Sequence, residues 1–136
     1  DLLKNKEELI IDYDEKKNIT TFSQGKINGY YATSFEESII LTNAVNIENK
    51  ESLIKLLQYV HPQKNCFKKL DKNSNIAEKS YMYQVQLFNS KSKFSTGLVY
   101  LSIIEDEFKL ELPKYIKSGL DLLCDYFKEK NNELRD

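Results

Sequence analysis

One stretch restricts the fold more than any other, because it has both a face and an end. Leu53, Leu56, Leu57 and Val60 recur at the spacing of a single helical stripe, and His61-Pro62 follows directly. Such spacing over residues 48–60 predicts an amphipathic helix with its apolar side turned inward. The residue before a proline avoids the helical region, so the helix must stop at His61. A second helix start lies upstream. In Tyr30-Tyr31-Ala32-Thr33-Ser34-Phe35-Glu36-Glu37, Ser34 is placed to accept from the backbone N–H of Glu37, and Glu37 to reach back to the N–H of Ser34. That is the capping-box pattern. Phe35 and Ile39 then share a face, and the two acids suit the positive end of the helix dipole.

Around these two helices the chain divides by pattern. Leu9-Ile10-Ile11 leads into Asp12-Tyr13-Asp14, which reads either as a strand ending in two acids or as a charged helix. Residues 18–22 read as a strand from their β-branched and aromatic content. Gly25-Lys26-Ile27-Asn28-Gly29 reads as a loop or tight turn. Residues 76–88 form a further helical stretch with Tyr81, Met82, Val85 and Phe88 at helical spacing. Core packing is the default for that stripe, with base stacking by Tyr81 and Tyr83 as the alternative. Residues 91–104 are again helical, with Phe94, Leu98, Leu101 and Ile104 on one side and Gly97 admitting a close neighbour. Residues 108–112 alternate as a half-buried strand would. A last helix opens at Pro113 and runs to about Asn132, with Ile116, Leu120, Leu123 and Phe127 inward. The fold class that follows is α/β, helix-dominated, with a few short strands, in one domain of 136 residues.

Charge and cysteine usage exclude several function classes. The formal net charge is −1, whereas a free-standing DNA-binding domain is usually basic, so any DNA contact must come from a local patch. Lys64, Lys68, Lys69 and Lys72 are such a cluster, and equally an ordinary solvated segment. Cys66 and Cys124 stand far apart beside a single histidine, His61, which fits a reducing, cytoplasmic setting and argues against a disulfide scaffold, a zinc site or a Cys-His nucleophile. The longest nearly apolar run, residues 98–104, is too short to cross a bilayer, and no secretion signal opens the chain. The first residue is Asp1, with no initiator Met, which suggests a fragment of a longer protein.

Three stretches in order resemble the OLD (overcoming lysogenization defect) family, in which an ATPase domain precedes a Toprim nuclease domain. The Tyr-x-x-Ser-Phe-Glu-Glu run ending at Asn43 is similar to a motif in the C-terminal part of these nucleases. Lys91-Ser92-Lys93-Phe94 is similar to a Lys-x-acid-Phe segment, with Lys93 standing where the family has an acid. Leu112-Pro113-Lys114-Tyr115-Ile116-Lys117-Ser118-Gly119-Leu120 is similar to a Pro-x-Tyr-Ile-x-x-Gly-Leu ending. The resemblance implies a helix-dominated C-terminal portion of a Toprim-like domain over residues 1–136. It implies Glu36 as a metal-site carboxylate and Lys91 as the cation that stabilises developing charge. Glu37 takes a capping role.

Asp12 and Asp14, on one side of a strand, match the Asp-x-Asp pair with which Toprim domains hold a hard cation; otherwise they are a solvated acidic segment. The implied cofactor is Mg²⁺ or Mn²⁺ at a two-metal site completed from outside the chain. The implied partners are DNA, an N-terminal ATPase with the first half of the Toprim domain, a second copy in a homo-oligomer, and a helicase-like protein; no membrane is implied. The implied setting is anti-phage defence. No Glu-Gly first-strand motif and no Gly-x-x-x-x-Gly-Lys-Ser/Thr phosphate loop occurs, so the chain is not expected to cleave DNA alone. The alternative is a non-enzymatic, helix-rich interaction module. The nuclease reading requires that Glu36 and Lys91 converge on one solvent-reachable pocket.

Overall fold

The computed structural model describes residues 9–135. The chain forms two compact units: Ile27–Glu111, and a second that combines the chain before it with the chain from Leu112 onward. The fold is mixed and helix-dominated, as its sequence patterns predict, with two small sheets of two strands each.

In the second unit, β1 (Leu9–Asp14) pairs antiparallel with β2 (Ile19–Gln24), Leu9 opposite Gln24 and Asp14 opposite Ile19. The turn is built by Asp14, whose Oδ1 accepts from the N–H groups of Lys16 at 3.1 Å and Lys17 at 3.3 Å. Asn18 adopts a left-handed φ of 52°, a conformation that asparagine tolerates better than most residues, and its Oδ1 accepts from Tyr13 Oη. Residues 9–14 are therefore a strand, not a charged helix; the part of that expectation falling on residues 1–8 lies outside the described residues. The long helix α6 (Lys114–Arg135) packs on β2, with Phe22 over Gly119.

In the unit Ile27–Glu111, the stretch expected to be a simple loop is partly a hairpin. Its strands are β3 (Lys26–Ile27) and β4 (Tyr30–Tyr31), joined by Asn28 (φ 50°) and Gly29 (φ 87°). Positive φ at both central residues is the geometry an Asn-Gly pair favours. Asn28 Nδ2 also donates to the Leu41 carbonyl at 2.8 Å, covering the end of the next helix. Four α-helices follow α1 (Phe35–Thr42) in this unit: α2 (Ile47–Val60), the short α3 (Asn65–Lys68), α4 (Ser80–Gln86) and α5 (Lys91–Ile104). Single turns of 3₁₀ helix, Ala77–Lys79 and Phe88–Ser90, flank α4, so the expected single helix over 76–88 is broken.

The predicted stripe of α2 is the centre of the core. Leu53, Leu56, Leu57 and Val60 are buried together with Ile39, Ile40, Phe67, Tyr83, Leu87 and Phe94. The α2 helix is capped by Asn46, which accepts from Glu48 N, and ends at His61 as the following proline requires. Gly97 is the close-approach point between α5 and α2. A Cβ there would lie 2.6 Å from Tyr59 Cδ1 and 3.2 Å from Leu56 Cδ1.

Three expectations need correction. Residues 108–112 do not form a strand, and no described strand pairs with them. Their backbone is instead held by helix side chains: Lys109 N donates to Ser52 Oγ at 2.8 Å, and Glu111 exchanges two bonds with fully buried Asn43. The apolar stripe of α4 and the turn after it points outward: Tyr81, Met82, Val85 and Phe88 are all exposed, while Ser80, Tyr83 and Leu87 face the core. Leu120, Leu123 and Phe127 of α6 are likewise exposed, as is Ile104 at the end of α5. Periodicity identifies residues that share a face, but burial depends on what covers that face.

Candidate active site

The first turn of α1 holds two adjacent glutamates with different fates. Ser34 is extended (φ −151°), and its Oγ accepts from Glu37 N at 3.1 Å, as the capping pattern predicts. The reciprocal half differs. The Glu37 carboxylate passes over Ser34 and accepts from Thr33 N and Thr33 Oγ1, both at 2.8 Å, through Oε1. Its Oε2 accepts from Ser80 Oγ, again at 2.8 Å. Glu37 is 2% exposed, and three donors satisfy its buried charge. It ties the start of α1 to the start of α4. The Ser80 contact lies 43 residues away, and nothing in the local pattern announces it.

Glu36 is also largely buried, at 6% exposed, yet no described residue donates a hydrogen bond to its carboxylate or pairs with it. Its oxygens are not sealed from solvent, since neither is among the fully buried side-chain polar atoms that lack a hydrogen bond. A carboxylate held in place at a helix start with both oxygens uncommitted is able to accept a cation from outside.

Lys91 opens α5 and is exposed, with Nζ 5.3 Å from the centroid of the Phe88 ring. The starts of α1 and α5 adjoin: Phe35, next to Glu36, meets Phe94, one turn beyond Lys91, edge to face at 6.4 Å. The Glu36 carboxylate and the Lys91 ammonium do not form an ion pair. Two concave regions, of 260 Å³ beside Glu48, Ser52 and Lys109 and of 410 Å³ beside Cys66, Lys69 and Tyr83, include neither residue. Asp12 and Asp14 lie on β1 in the other unit. Asp12 is exposed, and one oxygen of Asp14 serves the hairpin turn.

Among the described residues, no group of three or more His, Cys, Asp or Glu side chains is arranged to hold a metal ion. One uncommitted carboxylate suits one corner of a magnesium site. It does not make a whole site, because a hard cation takes about six oxygen ligands.

Beside Lys91 lies a second cluster that no sequence motif indicates. His61 Nε2 is 2.8 Å from Ser90 Oγ, and the ring stacks on Phe67 at 6.1 Å. Partial burial pushes the His61 pKa below its usual value; the Lys64 and Lys93 charges push the same way, and the Gln86 carbonyl opposes them. Lys64 Nζ donates to Gln86 Oε1 at 2.8 Å, and Lys93 Nζ lies 5.7 Å from the Tyr59 ring centroid.

Comparison with known proteins finds a similar stretch in an endonuclease. The chain is 44% identical over 120 residues to Endonuclease GajA of Bacillus cereus (strain HuB5-5), a match covering 87% of this chain and 17% of that protein. The chain thus spans about one-sixth of the length of the curated relative it matches. No family model matches the chain, and no solved structure does. Among the described residues, no helix is long and apolar enough to cross a membrane.

Proposed function

We propose that this chain is part of a metal-dependent DNA endonuclease of the Gabija type. It would be the C-terminal part of a Toprim-like domain in an OLD-family protein, acting in the cytoplasm in defence against phage. The observation that carries the proposal is the Glu36 carboxylate, only 6% exposed and without a partner among the described residues, in a chain 44% identical over 120 residues to part of an endonuclease. In the whole protein an ATPase domain gates cutting, a second copy and a helicase-like protein join the assembly, and the remaining metal ligands come from segments outside this chain. Within its own unit, Asp12 is the candidate cation ligand. Asp14 is less suited, because one of its oxygens already closes the β1–β2 turn.

A bound Mg²⁺ or Mn²⁺ would supply an activated water and charge neutralisation at phosphorus. The residues of this chain have separate roles. Glu36 contributes one carboxylate ligand from a helix start fixed by Ser34 and Glu37. Lys91, exposed and free of ion pairs, meets a phosphate oxygen and stabilises charge that develops there. In the longer protein, Glu36→Gln and Lys91→Ala are expected to abolish Mg²⁺-dependent cutting of DNA, with unchanged circular dichroism and melting. The 136-residue chain alone is expected not to cut. Cutting retained by Glu36→Gln would overturn the assignment. The other reading, a non-enzymatic helix-rich interaction module, is favoured by the exposed Leu120, Leu123 and Phe127 of α6. Under it, neither substitution matters, and polar replacements on α6 abolish partner capture.

A further inference from the structure

Residues 79–104 contain no acidic residue, although the chain has 21. This segment builds α4, the 3₁₀ turn Phe88–Ser90 and α5, and it exposes aromatic rings next to lysines. Tyr81, Val85 and Phe88 recur at helical spacing and face solvent, Tyr81 at 60% and Phe88 at 66% exposure. The cation of Lys91 lies over the Phe88 ring, and that of Lys93 over Tyr59, whose ring is tilted against exposed Tyr100 at 5.7 Å. Lys64 is drawn to the same turn through Gln86, and His61 through Ser90. A large aromatic left in water beside exposed ammonium groups, with no carboxylate in the segment, is complementary to a flat π-surface carrying negative charge. Unpaired nucleotides have that chemistry: bases stack on aromatic faces, and phosphates meet lysines. A paired duplex hides its base faces, and a surface with so few cations has little to hold its backbone.

We propose that the Tyr81–Val85–Phe88 face, with Lys91 and Lys93 at its end, binds an unpaired stretch of nucleic acid, one base stacking on Phe88. The proposal rests on the endonuclease reading and extends it, making single-stranded or locally opened DNA the form this part of the protein engages. Phe88 is the stacking platform. Lys93 contacts a neighbouring phosphate, and Tyr81 extends the path along α4.

The chain has no tryptophan, so Phe88→Trp introduces a sole tryptophan at the platform, excited selectively over the tyrosines. Titration of that variant with a short oligothymidylate, without added metal, is expected to quench its emission saturably, while a duplex of equal length does not. By anisotropy of the labelled oligonucleotide, Phe88→Ala is expected to bind roughly 5- to 100-fold more weakly than the parent, and Phe88→Trp comparably to it. Lys93→Ala is expected to lower the salt slope of binding by about one. Absence of quenching, or Phe88→Ala binding as tightly as the parent, overturns the proposal. Emission that responds to protein concentration and not to oligonucleotide also overturns it, and makes the face a protein interface. The metal-free readout is independent of Glu36. Normal oligonucleotide binding by Phe88→Ala, with cutting still lost in Glu36→Gln, sinks the platform alone; the reverse pattern sinks the nuclease assignment alone.

Discussion

Substituting each of the adjacent glutamates by glutamine separates a residue that holds the fold from one that does not. In Glu37→Gln the side-chain oxygen still accepts from Thr33 N and Thr33 Oγ1, but the amide now faces Ser80 Oγ, which loses its acceptor. Thr33 is exposed, so water replaces what its donors lose; Ser80 is 3% exposed and has no such recourse. Hydrogen bonds to a charged group contribute about 1.5–3 kcal/mol, and a buried hydroxyl left unpaired costs about 1–3 kcal/mol. The three bonds share one carboxylate and do not add. A loss of about 2 kcal/mol is therefore expected for Glu37→Gln. For Glu37→Ala the hole left in a buried site raises this to about 3–4 kcal/mol. Glu36→Gln removes no protein hydrogen bond, so its effect should stay within about 0.5 kcal/mol. Urea unfolding followed by circular dichroism measures all three. Equal losses for Glu36→Gln and Glu37→Gln, or a Glu37→Gln variant as stable as the parent, would refute the distinction.

Two further outcomes test the packing and the histidine. Gly97→Ala gains about 1 kcal/mol of helix propensity, but its Cβ would stand 2.6 Å from the Tyr59 ring. The expected net result in urea unfolding is a loss of about 1–2 kcal/mol, recovered when Tyr59→Leu is combined with it. His61 has its pKa depressed in the fold, so the unfolded chain binds the proton more readily. Its contribution is fully present above the ordinary histidine value and is lost as pH falls through the lowered one. Stability against pH should therefore rise across that window, and the rise should flatten in His61→Gln; an unchanged slope in that variant would place the titration elsewhere.

The patterns within one element were legible in the residues. The stripe of α2, its stop before Pro62, the Ser34 cap and the close approach at Gly97 all follow from local rules about φ, hydrogen-bond reach and the period of a helix. They hold because neither the donor of a cap nor the clash before a proline depends on what lies across the molecule. Glu36 and Lys91 are candidates on motif resemblance alone, and the adjoining starts of their helices needed the Phe35–Phe94 contact to be seen. Tertiary structure alone decided which of two identical side chains is satisfied, because the Ser80 hydroxyl that completes Glu37 comes from another helix. It also decided the outward turn of Tyr81, Val85 and Phe88. An apolar stripe is the same sequence whether a neighbour covers it or water does, and only the arrangement of the other helices distinguishes the two.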